Sequence, residues 1–407
     1  MNEATLVALA LVLFTWSVFA RRFERINLSG PLLLTIGGFL LGNPSWGIVS
    51  VSLQSSTVHF LAEVTLALLL FADASSVTLN AARHDLPLTG RLLGIGLPLS
   101  IIAGTVLALL AFPSIPLALA GVIAASLAPT DAALSASVIA DERLPIGVRR
   151  VLNVESGLND GIATPVVTLC IAASATVLGI AQHEFDSGYG AIGELALGVV
   201  IGAGAGIAGG LIIRLAASRG WTEHGSRRIA TLALALIAFL VATELGGNPF
   251  VAAFIGGLGF GAATRTEAAE AVEFTELLGS LLSLTLWFVF GAGFLLPAFQ
   301  QLDLRIALYA IASLTVVRMV PVAIALVGSG QDRATTAFIG WFGPRGLASV
   351  VFALLAVEDL GATDPRVMTA VNTIAITIAF SIVAHGVTAG PLATRYVATI
   401  PRSVENV

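Results

Sequence analysis

The segment Glu155-Ser-Gly-Leu-Asn-Asp160 places two carboxylic acids and an amide inside an otherwise apolar run. On an α-helix, at about 100° per residue, an arc of roughly 140° holds four polar residues: Glu155, Ser156, Asn159 and Asp160. A buried carboxylate is costly unless it is paired, protonated or bound to a cation. The segment is therefore either a solvated stripe on a soluble helix, a structural hydrogen-bonding site in a membrane, or an ion site.

The composition is that of a membrane protein. Of the 407 residues, 57% are hydrophobic and only 11% are charged, and the mean hydropathy is +0.95. Soluble domains carry about 25% charged residues. Apolar runs of about 20 residues, long enough to cross a bilayer as a helix, recur along the whole sequence. We therefore predict an all-α polytopic membrane protein, and its single cysteine excludes an intramolecular disulfide framework.

Thirteen apolar spans are expected within one transmembrane domain that covers residues 1–407. They lie near residues 4–20, 30–48, 58–79, 90–112, 116–140, 148–181, 190–213, 227–244, 248–263, 277–297, 305–327, 334–357 and 367–393.

The arginines predict the orientation of these spans. Loops after even-numbered spans hold only Arg305 and Arg366, and two further arginines, Arg318 and Arg345, lie inside apolar spans. The other arginines lie in the C-terminal tail or in loops after odd-numbered spans: Arg21, Arg22, Arg25, Arg83, Arg91, Arg143, Arg149, Arg150, Arg214, Arg219, Arg227, Arg228, Arg265, Arg333, Arg395 and Arg402. Basic loops stay in the cytoplasm, so we expect the N-terminus outside and the C-terminus in the cytoplasm.

A weak repeat relates the two halves of the chain. Three glycines after Pro31 recur after Pro249 at an offset of 219, which pairs Gly37, Gly38 and Gly42 with Gly256, Gly257 and Gly261. The offset matches span 2 with span 9, and a shift by an odd number of spans reverses the orientation. Such inverted-topology repeats are characteristic of secondary transporters. We expect repeat 1 at about 1–181, a connector helix at about 190–213 and repeat 2 at about 227–396.

The repeat also predicts two interrupted helices at matching positions. Span 5 contains Ala128-Pro129-Thr130-Asp131, and span 12 contains Gly343-Pro344-Arg345-Gly346. Proline removes a backbone donor and clashes with the preceding turn, so each span should break there. Matched breaks in two halves indicate a transport site, and we expect the broken helices to cross near the midplane of the membrane.

Several charges are expected at one depth in the membrane. Asp131 and Asp160 each lie about ten residues from the cytoplasmic end of neighbouring helices, or ~15 Å deep in a ~30 Å hydrocarbon core. Asp73 and Arg318 reach a similar depth, and Glu155 lies nearer the cytoplasm. Such groups usually face a bundle interior or a water-filled cavity, which favours a cation and proton site. A channel and an intramembrane aspartyl protease are the alternatives from other classes, although the Tyr-Asp and Gly-x-Gly-Asp contexts of the protease are missing. Nothing indicates a nucleic-acid partner.

These residues resemble the monovalent cation:proton antiporter-1 family, which includes prokaryotic sodium/proton antiporters and the sodium/hydrogen exchangers of animals. Its members share a Glu-Ser-x-x-Asn-Asp motif, here Glu155 to Asp160, and the sequence around Arg345 resembles a family Gly-x-Arg-Gly pattern. The resemblance implies an antiporter rather than an enzyme, without a cofactor, that exchanges Na⁺ (or Li⁺) for H⁺. A K⁺/H⁺ antiporter is the alternative within this class.

The resemblance also implies a role for each matching residue. Asp160 would alternately hold the proton and the cation, Asn159 would brace the broken helices, and Asp73 would match an acidic ligand that is Glu in many members. A second departure is Ala132, where many members have Pro. Na⁺ would bind at Asp160, Asp131, Ser156 and Thr130, while Glu155 and Arg318 would form a buried ion pair and Arg345 would supply the charge at the span-12 break.

Two further expectations concern charge. An unwound helix presents half-helix ends with partial charges, and we expect Asp131 to neutralise the positive ends and Arg318 the negative ends. Asn159 precedes Asp160, where electrogenic members have a second acid, so the resemblance implies electroneutral exchange of one Na⁺ for one H⁺. It further implies a homodimer in a bacterial or archaeal inner membrane, with a role in pH homeostasis.

Overall fold

The computed structural model describes residues 3–24, 26, 28–45, 49, 51–52, 54–76, 87–180, 190–264 and 268–399. Within these ranges all regular secondary structure is helical, as the sequence predicts. Four arginines used to predict the orientation, Arg25, Arg83, Arg265 and Arg402, lie outside the described residues.

The helices of the described residues correspond one for one to the thirteen predicted spans. We number them by span and mark the parts of interrupted spans a and b. They are α1 (Glu3–Glu24), α2 (Gly30–Leu41), α3 (Ser56–Ser76), α4 (Pro87–Ala111), α5a (Leu117–Leu127), α5b (Ala136–Ile139), α6 (Ile146–Leu178), α7 (Gly190–Ser218), α8 (His224–Glu244), α9 (Pro249–Thr264), α10 (Ala268–Gly293, continued by Leu295–Gln300), α11a (Leu304–Leu314), α11b (Val316–Ala325), α12a (Arg333–Trp341), α12b (Leu347–Leu360) and α13 (Pro365–Thr399).

With α11a and α11b taken together, nine of the described helices are long and apolar enough to cross a membrane, and three shorter apolar helices accompany them. The largest difference from the expected boundaries is in α10, which begins at Ala268 instead of near residue 277. Its first turns carry several acidic residues, and the hydropathy signal therefore underestimates its length.

Both predicted helix breaks are present, and they meet. The helix of span 5 ends at Leu127 before Pro129, and the helix of span 12 ends at Trp341 before Pro344. Proline lacks a backbone donor and disfavours helical geometry in the residue before it, so both helices stop there. The two extended segments cross, with the backbone N–H of Asp131 donating to the carbonyl of Pro344 at 2.9 Å.

The packing of the two halves follows the predicted repeat. α2 packs against α10, and α9 packs against α3. In the predicted repeat, span 2 corresponds to span 9 and span 3 to span 10. The contact between α2 and α10 is therefore the counterpart of the contact between α9 and α3. Gly38 lies against the backbone of α10 at Phe288, and Gly257 lies against the backbone of α3 at Phe71, so a Cβ at either glycine would collide with a main-chain carbonyl. The boundaries of the repeats stay a prediction.

The core of the protein contains the interrupted helices. α12b is apolar on all sides up to Glu358 and Asp359 at its C-terminal end, and nearly all of its other side chains are buried. A helix that is apolar all round is suited to an interior position. By contrast, most of the apolar surface of α1 is exposed, and only 17% of its most hydrophobic stretch is buried. The breaks in spans 5 and 12 thus lie inside the bundle, where unpaired backbone groups require partners.

Candidate ion-binding site

A cavity of about 640 Å³ lies at the crossing of the two broken spans. Its walls come from α1 to α3, both broken spans, α6, α10 and α13. Five of the residues proposed from the sequence line it: Asp73, Thr130, Asp131, Ser156 and Asp160. The structure therefore brings together residues that are up to 87 positions apart, from Asp73 to Asp160.

Asp131 binds backbone N–H groups at both breaks. One carboxylate oxygen accepts from the N–H groups of Ala133, at 2.6 Å, and Leu134, at 3.2 Å. The other accepts from Leu347 N–H at 3.0 Å, at the N-terminus of α12b. Gly346 lies so close that a Cβ there would overlap the Asp131 side chain. Asp131 therefore caps the positive end of a half-helix, as expected.

Arg345 binds the opposite ends of two half-helices. Its side chain is 1% exposed, and one guanidinium nitrogen donates to the carbonyls of Ala128, at 3.1 Å, and Pro129, at 3.4 Å, where α5a ends. A second nitrogen donates to Ser313 O at 3.1 Å, near the end of α11a. We expected Arg318 to neutralise these negative ends, but Arg345 makes the contacts. Depth along a helix, which guided the expectation, does not specify where a long side chain points.

Arg318 pairs with Glu155, as the family resemblance implied. The distance from Arg318 Nη2 to Glu155 Oε1 is 2.6 Å, and the two side chains are 1% and 2% exposed. This ion pair joins α11b to α6 beside the cavity. Charges removed from water to this extent are stable only together, because an unpaired member would keep its full desolvation cost.

A set of neutral polar groups connects the span-5 break to α6. The side-chain amide of Asn159 donates to Thr130 Oγ1 at 2.7 Å, and Thr130 Oγ1 lies 3.0 Å from Ser156 Oγ. All three side chains are buried. Asn159 thus holds the broken segment against α6, and the two hydroxyl groups place neutral oxygens at the cavity wall.

Asp160 and Asp73 differ from the other site charges in having no such partner. Within the described part of the chain, no hydrogen bond or ion pair to either carboxylate is found. Asp73 approaches α6 closely, because a Cβ at Gly157 would lie 3.6 Å from Asp73 Cβ. Among the described residues, no group of three or more His, Cys, Asp or Glu side chains is close enough to hold a metal ion together. Carboxylate and hydroxyl oxygens along this wall are nevertheless the donor type that hard monovalent cations prefer.

The cavity also contains functional groups that the sequence analysis missed. Glu276, Ser280 and Ser283 on α10 and His385 on α13 line it. Glu276 was not counted among the intramembrane acids, because span 10 was expected to begin one residue after it. His385 had a usable signal, since it is an ionisable residue inside an apolar span.

A second cavity, of about 1280 Å³, lies toward the opposite ends of the same helices. On α6 it is lined by Thr168, whereas the first cavity extends no further than Asp160. On α3 it is lined by Glu63, whereas the first cavity includes Asp73. Its wall is acidic, with Glu63, Glu194, Glu358, Asp359 and Asp364. The two cavities thus lie toward opposite ends of α3 and α6.

Solved structures share this fold. The sodium proton antiporter MjNhaP1 from Methanocaldococcus jannaschii at pH 8 matches with a TM-score of 0.77, covering 97% of this chain and 100% of that chain at 20% identity. An electron-microscopy structure of MjNhaP1 matches with a TM-score of 0.73, covering 98% and 100% of the two chains at 19% identity. At these identities the similarity demonstrates a common architecture.

Sequence relatives match over parts of their length. A protein of Schizosaccharomyces pombe named "Probable Na(+)/H(+) antiporter" is 25% identical over 252 residues, which is 58% of this chain and 33% of that protein. The "Sodium, potassium, lithium and rubidium/H(+) antiporter" of Bacillus subtilis is 28% identical over 176 residues, 43% of this chain and 25% of that protein. The matched regions thus span a third or less of these relatives.

The family assignment rests on most of the chain. The sequence model of the family described as "Sodium/hydrogen exchanger, transmembrane" matches residues 8–395, which include both interrupted helices and the Glu155 to Asp160 motif. The fold matches solved antiporters over nearly its whole length. The chain therefore belongs to the sodium/hydrogen exchanger family of membrane antiporters.

Proposed function

We propose that this protein exchanges Na⁺ for H⁺ across the membrane, with both ions competing for the carboxylate of Asp160. The observation that carries the proposal is a difference between the charged side chains around the crossing. Asp131, Arg345, Glu155 and Arg318 are each bound to backbone groups or to one another. Asp160, like Asp73, lines the cavity without such a partner in the described part of the chain, and the family resemblance implies Asp160 as the carrier.

The chemistry of the cavity fits this exchange. A carboxylate away from bulk water is stabilised either by a proton or by a cation. Na⁺ prefers oxygen ligands, and Asp131, Thr130 and Ser156 supply further oxygens on the same wall as Asp160. Asp73 on α3 and Glu276 on α10 add two further acids to the lining of the cavity. Competition of two ions for one carboxylate couples their movements, provided that the empty charged site does not reorient.

Alternating access is supported by the two cavities at opposite ends of α3 and α6. The first, which contains Asp160, lies toward the side that the arginine-rich loops predict to be cytoplasmic. The second lies toward the predicted outer side. Movement of the crossing relative to α3 and α10 would expose Asp160 to one cavity and then to the other. With one proton or one Na⁺ neutralising the same carboxylate, the exchange is electroneutral.

A K⁺/H⁺ antiporter is the second candidate, because the Bacillus subtilis relative is named for potassium as well as sodium, lithium and rubidium. Membership in a family of antiporters argues against a channel and against an intramembrane aspartyl protease. We further propose a bacterial or archaeal inner membrane, an external N-terminus, a cytoplasmic C-terminus and a role in pH homeostasis. A homodimer is proposed from the family resemblance.

The proposal is tested with purified protein in liposomes that carry an internal pH dye. Added Na⁺ should collapse an imposed proton gradient, and K⁺, tested in parallel, separates the two cation assignments. Asp160→Asn preserves the shape of the side chain but removes its titrating charge, so it should fold normally and abolish exchange. Cation flux without linked proton movement would indicate a channel, and exchange by Asp160→Asn at the wild-type rate would exclude Asp160 as the carrier.

A further inference from the structure

An apolar groove adjoins the ion-binding cavity on the surface of the bundle. Its volume is about 610 Å³, and it is lined by α2, the end of α10, α11a, the end of α12a, and α13. Its walls include Ile36 on α2, Phe299 on α10 and Ile382 on α13. The proposed ion exchange does not use this groove, although a groove of this size is large enough to bind a small apolar molecule.

The lining of the groove has no accessible polar side-chain group that is unbonded, within the described part of the chain. Trp341 Nε1 donates to Thr388 Oγ1 at 3.0 Å, and Thr315 Oγ1 donates to the carbonyl of Ile311 at 2.7 Å. The hydroxyl of Thr35 is buried. Water, an ion or a lipid headgroup would therefore find no partner, whereas apolar cavities of this kind accept hydrocarbon.

The rim of the groove is exposed and apolar. Ile36, Phe299, Ile311 and Val383 line the groove and are among the exposed large hydrophobic side chains. Three of the four belong to segments long and apolar enough to cross a membrane. Such side chains contact the acyl chains of the bilayer, so the groove is continuous with the lipid-facing surface.

The groove extends along the membrane normal from the predicted outer side to the broken helices. Phe39 and Phe299, whose ring centroids are 6.0 Å apart, lie toward the ends of α2 and α10 that the arginine-rich loops predict to face outward. At the other end are Leu314, the last residue of α11a, and Trp341, the last residue of α12a. An acyl chain of the outer leaflet fills the same ~15 Å from headgroup to midplane.

A single side chain belongs to both the groove and the ion-binding cavity. Ile382 lines each of them and is 2% exposed. The groove also reaches the end of α11a, where the carbonyl of Ser313 accepts from Arg345. Whatever occupies the groove therefore lies next to the helix ends that form the crossing.

We propose that the apolar groove binds one acyl chain of an outer-leaflet phospholipid, and that this chain seals the crossing from the bilayer while spans 11 to 13 move against α2 and α10. Helices in lipid gain little hydrophobic free energy by closing on one another, because acyl chains are as apolar as their side chains. A fluid chain can also adapt to a gap that changes shape. The binding site goes beyond the proposed exchange, and only its sealing role rests on that exchange.

Binding is tested in detergent through the fluorescence of Trp341, which lines the groove. Bromine quenches indole fluorescence only at short range, so phosphatidylcholine with brominated acyl chains is added stepwise to the purified protein. The emission that is absent from Trp341→Phe reports on Trp341. This part of the emission should be lost in a saturable manner, and unbrominated phosphatidylcholine should restore it.

A groove-filling variant tests both the site and its role. Ala384 lines the groove on α13 and is only half-buried, so the ring of Ala384→Phe would take the volume of the acyl chain. The lipid concentration for half-maximal quenching should rise by about tenfold or more, as expected from overpacking an apolar site. Exchange in dye-loaded liposomes should also slow, because a ring bonded to α13 cannot adapt as the helices move.

Two further variants complete this test. Ala208→Phe is the matched control, because Ala208 is exposed on α7 and lies outside the groove, so its quenching and exchange should equal those of wild type. Ile311→Phe fills the groove from α11a and replaces Ala384→Phe if that variant fails to fold. It should weaken the quenching and slow the exchange in the same way.

The quenching decides whether the site exists. Quenching of Trp341 that rises with lipid without saturation, or that persists unchanged in the groove-filling variants, would overturn the proposal. A brominated single-chain detergent that quenches Trp341 and is not displaced by phosphatidylcholine would also overturn it, since the occupant would then not be a phospholipid. Groove-filling variants that lose the lipid but exchange at the wild-type rate would refute the seal. Wild-type protein that exchanges neither Na⁺ nor K⁺ for protons would instead refute the proposed function, and the quenching would still decide the site.

Discussion

Arg318→Ala tests the most buried ion pair of the protein in the described ranges. The Arg318 and Glu155 side chains are 1% and 2% exposed, and their charged atoms are 2.6 Å apart. Removing the guanidinium leaves Glu155 without a counter-ion at a position that water does not reach. The second oxygen of Glu155, Oε2, already has no hydrogen-bond partner within the described residues, so no neighbour is available to compensate.

The expected loss of stability follows from this burial. Breaking a buried pair by removing one partner costs about 3–5 kcal/mol, because the remaining charge keeps its desolvation penalty. At about 2 °C per kcal/mol, the lower end for large domains, the midpoint of thermal unfolding should fall by about 6–10 °C.

The assay is thermal unfolding of detergent-purified protein, followed by the loss of the monodisperse peak in size-exclusion chromatography. Arg366→Ala is the matched control, because Arg366 pairs with Asp364 at 2.7 Å but is 41% exposed. An exposed pair is screened by solvent, so this control should melt close to wild type.

The double variant Glu155→Gln with Arg318→Met should recover part of the lost stability, since it removes both charges and leaves no unpaired ion. An Arg318→Ala protein that melts within about 1 °C of wild type would refute the reasoning, because no unpaired buried charge would then exist. A double variant that is less stable than Arg318→Ala would also contradict it.

Three further outcomes are expected. Gly346→Ala should abolish exchange, because its Cβ would overlap Asp131, whereas Gly147→Ala, where nothing lies within 4 Å, should exchange as wild type; equal activity of the two would refute the close approach. Thr130→Val should lower the exchange rate by removing the acceptor for the Asn159 amide, 2.7 Å away, and Thr130→Ser should retain it, both measured in dye-loaded liposomes. A valinomycin-imposed K⁺ potential should leave Na⁺-driven proton flux unchanged, since one proton and one Na⁺ neutralise the same carboxylate. A potential of about 100 mV acts on each uncompensated charge with ~2.3 kcal/mol, so a flux that scales with the potential would reveal a second transported proton.

The number, order and approximate ends of the thirteen spans followed from the sequence alone. Hydrophobicity over about 20 consecutive residues is a local property, and the bilayer imposes that length on every span. The two breaks were also predictable, because the covalent structure of Pro129 and Pro344 interrupts a helix wherever the chain places it. The prediction for the start of α10 was wrong because it also relied on local hydropathy. Acidic residues in the first turns of α10 lower that hydropathy.

Only the tertiary structure decided the partners of Asp131 and Arg345. Asp131 caps α12b at Leu347, and Arg345 reaches back to Ala128, across separations of more than 200 residues in each case. Side-chain direction at such distances depends on how the two halves pack, which no local pattern contains. The family resemblance already paired Arg318 with Glu155, but the packed helices show that Arg345, and not Arg318, binds the ends of α5a and α11a. His385 lies at the site for the same physical reason, because Trp341, whose carbonyl it contacts, is 44 residues earlier in the chain.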